Sequence, residues 1–277
     1  MKDLGSVRGK VVAITGGARG IGLSTATTLR RLGAGVAIGD IDDTALKEAA
    51  TTTGISVYSK LDVTDAESFT AFLDDVERQL GPIDVLVNNA GIMPAGRLID
   101  EPDAVTRRIL DINVYGVILG TKLATKRMLP RGRGHVINIA SIAGELPSAG
   151  LASYCASKFA VLGFTESVRR EYRGSGVSFS TVLPTITNTE LTAGVHSAKG
   201  LKNAEPVDIA NAIVGLIAKP KARVTVTRLA AVLTGSGKFM PSKLNEWIEA
   251  KFEMDRIFLD DIDSSARKAY EDRARSV

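Results

Sequence analysis

The sequence predicts an α/β fold with a doubly wound parallel sheet, and three observations lead to it. Short β-branched apolar runs recur along the chain, longer segments with helical spacing separate them, and a glycine-rich turn follows the first run directly. The runs are apolar almost throughout rather than at alternate positions. That suits parallel strands covered by helices on both faces.

Taken in order, the predicted strands are Val11 to Thr15, Gly35 to Gly39, Ser56 to Ser59, Ile83 to Asn88, His135 to Ala140, Val177 to Leu183 and Arg223 to Thr227. The first helix runs from Ile21 to Leu32, with Ile21, Thr25, Leu29 and Leu32 on one side. Ala66 to Leu80 forms another, with Phe69, Phe72, Leu73, Val76 and Leu80 inward. Ser153 to Ala160 also reads as helix. Repeated strand-then-helix order predicts a seven-stranded, Rossmann-type sheet in one domain over residues 1–235. Residues 236–277 form a C-terminal helical extension: Pro241 can open a helix in which Leu244, Trp247, Ile248 and Phe252 share a face, and the chain turns strongly charged beyond Asp260-Asp261. Packing on the body or on another subunit is expected of it, with a lid as the alternative; its acidic residues argue against a membrane-surface anchor.

Composition narrows the classes. The chain has 277 residues, 44% hydrophobic and 24% charged, enough for a full core. Its net charge of +4 is spread over helical faces such as Arg30-Arg31, Arg107-Arg108 and Arg169-Arg170, with no aromatic-interleaved basic patch, so no nucleic-acid partner is expected. No stretch reaches the ~20 apolar residues of a membrane span, and Met1 to Lys10 lacks the apolar run of a signal peptide. Cys155 is the only cysteine, which fits a reducing, cytoplasmic setting, and it reads as a small buried hydrophobe. His135 and His196 stand apart without metal-ligand spacing, so no metal is expected.

The turn Thr15-Gly16-Gly17-Ala18-Arg19-Gly20-Ile21-Gly22 joins the first strand to the first helix. Its glycines permit a tight turn and close approach of backbone to a phosphate, while the helix N-terminus offers N–H groups to a pyrophosphate. The spacing is G-x-x-x-G-x-G rather than the general dinucleotide G-x-G-x-x-G. The second strand ends at Asp40, whose carboxylate can accept both ribose hydroxyls and repel a 2′-phosphate, favouring NAD over NADP. Arg19 argues the other way, but Ile41 rather than a second base follows Asp40.

Tyr154 and Lys158 lie four residues apart, on one face of their helix. An ammonium beside a phenol favours the phenolate, so Tyr154 is expected to release its proton more easily than an ordinary tyrosine and to serve as acid or base.

With these motifs in order, about Lys10 to Val226 resembles the short-chain dehydrogenases/reductases, in the compact single-domain group. The resemblance rests on Thr15 to Gly22, Asp62-Val63, Asn88-Asn89-Ala90-Gly91, Asn113, Ser141, and Tyr154 with Lys158. It implies that Gly16, Arg19, Gly20, Ile21, Gly22 and Asp40 hold the dinucleotide, that Asp62 and Val63 flank the adenine, and that Asn89, Ala90 and Gly91 line the cofactor pocket. Thr15 resembles the residue tying the glycine turn to that neighbouring segment. Asn113 resembles the helix asparagine that holds a water beside the lysine, Ser141 the serine that orients the substrate carbonyl, and Lys158 the lysine that also binds the nicotinamide ribose. The implied activity is hydride transfer between a nicotinamide cofactor and a small-molecule alcohol or carbonyl, with Tyr154 and Ser141 contacting substrate. A homodimer through the helices bearing Asn113 and Tyr154, or a homotetramer, is expected with it.

The chain departs from that pattern after the sixth strand. Pro184-Thr185-Ile186-Thr187-Asn188-Thr189 keeps Pro184 and Thr189 but has Thr185 where the family has glycine; Thr187 and Thr189 remain candidates for the carboxamide. After the seventh strand the Thr-Gly turn is missing, which disfavours the common tetramer packing. Thr187 to Asn203, with Met93-Pro94 and Glu145-Leu146-Pro147, is the expected substrate cover, and Leu191, Val195, Leu146 and Met93 suit an apolar, lipid- or steroid-like substrate. The competing functions are an NADPH-dependent carbonyl reductase, a sugar-nucleotide epimerase, which the glycine spacing disfavours, and a catalytically silent dinucleotide-binding sensor.

Overall fold

The computed structural model describes residues 7–195, 203–227, 257–259 and 262–276. Seven parallel strands form one sheet in the order β3-β2-β1-β4-β5-β6-β7: β1 is Val11–Thr15, β2 Gly35–Asp40, β3 Val57–Lys60, β4 Val85–Asn88, β5 Gly134–Ile139, β6 Val177–Leu183 and β7 Arg223–Thr225. The helices are α1 Gly20–Arg31, α2 Asp43–Thr53, α3 Ala66–Leu80, α4 Asp103–Leu110, α5 Gly116–Met128, α6 Ala152–Glu171, α7 Pro206–Ala218 and α8 Ser264–Arg275.

One face of the sheet packs Val12, Ile14 and Ile38 against α1, α2 and α7, through residues such as Leu29, Leu46 and Ile213. The opposite face packs Val11, Ala13 and Leu86 against Phe69, Phe72 and Leu73 of α3 and Leu119 and Met128 of α5. Because side chains of a strand alternate between faces, both helical layers draw on the same strands, which is why the runs are apolar throughout. Strand order reverses between β1 and β4, and there the loops at the carboxyl ends diverge to open a crevice.

The predicted bounds of β1, β6 and α3 are reproduced. The seventh strand ends at Thr225 rather than Thr227; as an edge strand it bonds only to β6 and stops where that pairing stops. The predicted helix at Pro241 lies outside the described residues. Further on, α8 packs at the carboxyl edge of the sheet, against the loops that follow β4 and β6. Among the described residues no helix is long and apolar enough to cross a membrane. His135 is buried in β5, its Nε2 2.7 Å from Ser180 Oγ. Cys155 is buried and unpaired, its Sγ accepting the Ser148 amide at 3.5 Å, and burial raises its thiol.

Candidate active site

A cleft of about 1210 Å³ opens at the strand-order reversal, over the carboxyl ends of β1, β2, β4, β5 and β6. The glycine turn forms its floor. Gly16 has φ +62°, and a Cβ there would fall 2.8 Å from Ala90 Cα. A Cβ at Gly22 would fall 2.0 Å from the Gly16 carbonyl oxygen, so Gly22 lets α1 close onto the turn. Thr15 Oγ1 accepts the Asn89 and Ala90 amides at 3.0 Å each, and Asn89 Nδ2 donates to the carbonyls of Thr15 (3.0 Å) and Gly16 (2.9 Å). The two halves of the sheet are thereby joined beneath the cleft. No side chain caps α1, and its first turn carries no acid, leaving its N–H groups facing the turn.

Asp40 ends β2. Its two oxygens accept the Ala18 amide at 3.1 Å and the Asp42 amide at 3.2 Å, which aims the carboxylate across the turn. Arg19 Nη2 donates to Asp42 Oδ2 at 2.7 Å, and Arg19 Nε lies 3.6 Å from Glu190 Oε1. The Asp42 carboxyl is held below its usual range by the Ala45 amide first and by Arg19 next. Burial opposes the Arg19 charge, but Asp42, Glu190 and Asp40 together raise its pKa. Sequence reasoning passed over Asp42 and Glu190. The acid-rich run Asp40-Ile41-Asp42-Asp43 was the available signal for Asp42.

Asp62 and Val63 line the cleft beyond Asp40; Asp62 Oδ1 accepts the Thr64 amide (2.9 Å) and hydroxyl (2.7 Å). Gly20, Ile21, Asn89, Ala90 and Gly91 also line it. On the other wall, Pro184, Thr185, Thr187 and Thr189 follow β6. Thr187 Oγ1 donates to the Thr185 carbonyl at 2.8 Å, and the Thr189 methyl would lie 3.2 Å from a Cβ on Gly20. The Thr185 hydroxyl is buried without a hydrogen-bond partner.

The acid/base group sits where β5 ends and α6 begins. Ser141 caps a short 3₁₀ turn, its Oγ accepting the Ala143 amide at 3.1 Å, and its hydroxyl is placed to stabilise the ionised form of Tyr154. Lys158 Nζ donates to the Ile139 carbonyl at 3.0 Å and lies 5.6 Å from the Tyr154 ring centroid. Asn113 falls in a π-helical segment, Asp111–Tyr115, between α4 and α5. The widened turn aims its amide at the loop after β4, where it accepts the Ile92 amide and donates to the Ile92 carbonyl, both at 2.9 Å. It also donates to Ser157 Oγ at 3.1 Å, and Ser157 in turn donates to the Tyr154 carbonyl at 2.6 Å. A Cβ on Gly91 would stand 3.2 Å from Asn113 Oδ1 and 3.6 Å from Lys158 Nζ, so the missing side chain keeps a small space between them.

One expectation is corrected by the electrostatics. Burial pushes the Tyr154 phenol up to about 12, with the Ser141 hydroxyl opposing it, rather than Lys158 pulling it down. Burial also lowers Lys158 to about 8. Both shifts disfavour the charged form, as expected for side chains 7% and 5% exposed. Of the catalytic and cofactor-binding residues expected from the sequence, Gly22 and Asn113 do not line the cleft but shape it from behind; of the residues named in the expected substrate cover, Pro94, Glu145, Pro147 and Val195 do not line it.

Substrate-sized space lies beyond Tyr154. Met93, Leu146, Leu151, Leu191, Ile257 and Phe258 line it, and Val195 packs in the apolar cluster behind. Tyr270, Arg273 and Ala274 of α8 complete the wall. The sequence offered a helical extension packed on the body or serving as a lid, but it singled out neither α8 nor its residues for this wall.

The residues present fit a dinucleotide: a turn that only glycine can close, uncapped helix N–H groups and a backbone-oriented carboxylate at the second strand end. Comparison with known proteins agrees. A family model described as short chain dehydrogenase matches residues 10–200. The "Probable oxidoreductase EphD" of Mycobacterium tuberculosis is 34% identical over 258 residues, which is 84% of this chain but 44% of that protein, so the chain spans less than half of its length. The "3-alpha-(or 20-beta)-hydroxysteroid dehydrogenase" of the same organism is 38% identical over 218 residues, 76% of this chain and 84% of that protein. A crystal structure of 3-ketoacyl-(acyl-carrier-protein) reductase from Brucella melitensis, complexed with NADH, superposes with a TM-score of 0.73 at 24% identity, covering 80% of this chain and 99% of that one, which speaks to the fold. By the ordered motifs and by the reach of the family model, the chain belongs to the short chain dehydrogenase family.

Proposed function

We propose that this protein is an oxidoreductase that moves a hydride between a nicotinamide cofactor, NAD by preference, and an apolar secondary alcohol or its ketone. One observation carries the reading: Ser141, Tyr154 and Lys158 converge at one end of a cleft that also holds the glycine turn and Asp40. When bound, the cofactor supplies or accepts the hydride. In reduction Tyr154 gives its phenolic proton to the carbonyl oxygen; in oxidation its phenolate takes the hydroxyl proton. Ser141 steadies the same oxygen by hydrogen bonding as charge develops on it. Lys158 holds the nicotinamide ribose and the Tyr154 phenolate together, and Asn113 fixes the loop after β4 beside them.

Gly16, Arg19, Gly20 and Ile21 cradle the pyrophosphate, Asp40 takes the adenosine ribose, Asp62 and Val63 border the adenine, and Asn89, Ala90, Gly91, Pro184, Thr187 and Thr189 enclose the nicotinamide half. NAD is favoured over NADP because Arg19, the nearest base, is already held by Asp42, so a 2′-phosphate would meet two carboxylates. The apolar wall of Met93, Leu151, Leu191 and Phe258 supports a lipid- or steroid-like substrate, in keeping with the relative named for hydroxysteroids. Residues 236–277 serve as an extension to a domain of residues 1–235. Exposed Leu110, Tyr115 and Phe159, on and around the helices carrying Asn113 and Tyr154, support a homodimer, and the lone Cys155 suits the cytoplasm.

The test is a screen of secondary alcohols and ketones followed by NADH absorbance, repeated with Tyr154→Phe. The variant keeps NADH binding and loses at least ~10³-fold in turnover, the scale set by removing an essential acid/base group. Turnover equal to wild type refutes the role of Tyr154, and NADH binding without turnover of any substrate favours a silent dinucleotide sensor.

A further inference from the structure

Helix α8 lies beyond the region matched by the family model, which ends at residue 200, yet its place over the cleft is closely determined. Arg267, 2% exposed, donates to the Met93 carbonyl and to those of Leu191 (2.8 Å) and Ala193 (3.3 Å), while Glu271 accepts its Nε at 2.6 Å. Arg275 donates to the Ala95 carbonyl at 2.7 Å, and the Ala95 amide donates to Glu271 Oε1 at 3.2 Å. These bonds tie the loop after β4 to the loop after β6, the two segments that border the substrate space.

Tyr270 stands in the middle of this arrangement. Its ring lies under the Arg267 guanidinium, 4.9 Å from Cζ to centroid, and its oxygen accepts the Met93 amide at 2.7 Å. A phenol carries one donor hydrogen besides its lone pairs. The Met93 contact occupies a lone pair, so the hydrogen is still available, and no group among the described residues accepts it. The side chain lines the same cleft as Tyr154, near enough that an ionised Tyr154 opposes the ionisation of Tyr270. Around it the wall is apolar: Met93, Leu151, Ile257 and Phe258.

We propose that Tyr270 determines substrate specificity, donating its hydroxyl hydrogen to a second oxygen of the substrate, distinct from the one held by Ser141 and Tyr154. A donor with no acceptor in an apolar wall is costly, and a substrate that supplies the acceptor removes that cost. A site built to hydrogen-bond one group rejects the analogue that lacks it much more strongly than an apolar pocket discriminates by size. The favoured substrate therefore has an apolar body with one oxygen at the reacting carbon and another elsewhere on it. This inference rests on the dehydrogenase reading above.

The experiment uses matched pairs of alcohols that differ only in a second oxygen. One pair is androsterone, whose ring-D ketone supplies that oxygen, and the same steroid without the ketone; a second is a long-chain secondary alcohol with and without a distal hydroxyl. Wild type is expected to favour the doubly oxygenated member by at least ~10-fold in kcat/KM. Tyr270→Phe, which keeps the ring beneath Arg267, brings the ratio close to one, with the larger change in KM. A wild-type ratio already near one overturns the proposal, as does an equal loss on both members of a pair, which would mean that Tyr270 only supports the Met93 loop. Wild type turning over no member of any pair overturns the dehydrogenase reading and this inference with it, an outcome distinct from the other two.

Discussion

Cofactor choice can be reversed at two positions. Asp40 is oriented by the Ala18 and Asp42 amides, and Asp42 holds Arg19 at 2.7 Å. A 2′-phosphate on a ribose bound at Asp40 would stand beside both carboxylates, and a separation of about 5 Å sets the scale. At an effective dielectric of about 20, one such pair of charges repels by roughly 3 kcal/mol. Asp42 and Arg19 are 30% and 38% exposed, so solvent and salt reduce this to on the order of 1–2 kcal/mol per carboxylate. Asp42→Asn keeps a carbonyl oxygen for the Ala45 amide, and Asp40→Asn keeps one for either the Ala18 or the Asp42 amide; together they remove both charges and leave Arg19 with Glu190 alone, at 3.6 Å. NADPH affinity is expected to rise about 100-fold, at roughly 1.4 kcal/mol per tenfold. NADH affinity falls about tenfold, because charge-assisted hydrogen bonds to the ribose become neutral ones. Titrating wild type and the double variant with NADH and NADPH, following nicotinamide fluorescence, measures both changes. Wild type binding NADPH as tightly as NADH, or a double variant whose preference moves less than about threefold, refutes the reasoning.

Two further outcomes follow from buried polar groups. Burial lowers His135 from 6.5 to about 4, so between those values the unfolded chain carries a proton that the folded chain does not. Stability therefore falls as pH drops through that window, by roughly 3 kcal/mol in all, and His135→Gln removes that part of the slope; urea midpoints between pH 7 and 4 that fall equally in both proteins would contradict it. Thr185→Val deletes the orphaned hydroxyl, so the ligand-free protein gains about 1 kcal/mol while NADH affinity stays unchanged. A melt showing lost stability, or a fall in NADH affinity, would count against it.

The legible parts of the sequence are those whose information is local. The apolar runs of β1 and β6 are bounded by turn residues, so their ends could be read directly. The glycine turn, Asp40, Ser141 and the Tyr154/Lys158 spacing each depend on position relative to one strand or helix. What escaped depends on side chains reaching between segments far apart. Nothing in Arg19 announces its pairing with Asp42 and Glu190, and nothing in Arg267 announces carbonyl partners at Met93 and Leu191. A weaker signal for α8 was present: Arg267 with Glu271, Lys268 with Asp272 and Glu271 with Arg275 are all four apart, the spacing of helical ion pairs. That pattern predicts a helix but not the surface it covers.

The same distinction explains why spacing found the acid/base pair and misjudged its charge. Spacing puts Tyr154 and Lys158 on one face; their ionisation depends on what buries them. Raising the phenol from 10.0 to about 12 corresponds to roughly 3 kcal/mol against the phenolate. A charged Lys158, its Nζ 5.6 Å from the Tyr154 ring centroid, returns only part of this. Burial outweighs the lysine attraction, so the phenol stays above its ordinary value. Lys158 is itself displaced towards about 8, so even that return weakens as pH rises. A tyrosine that must act as a base near neutrality needs further stabilisation of the phenolate. Within the protein that comes from the Ser141 hydroxyl, and a positively charged oxidised nicotinamide bound beside Lys158 would add to it. The bare protein is consequently set to donate a proton, and its capacity to accept one is acquired on binding.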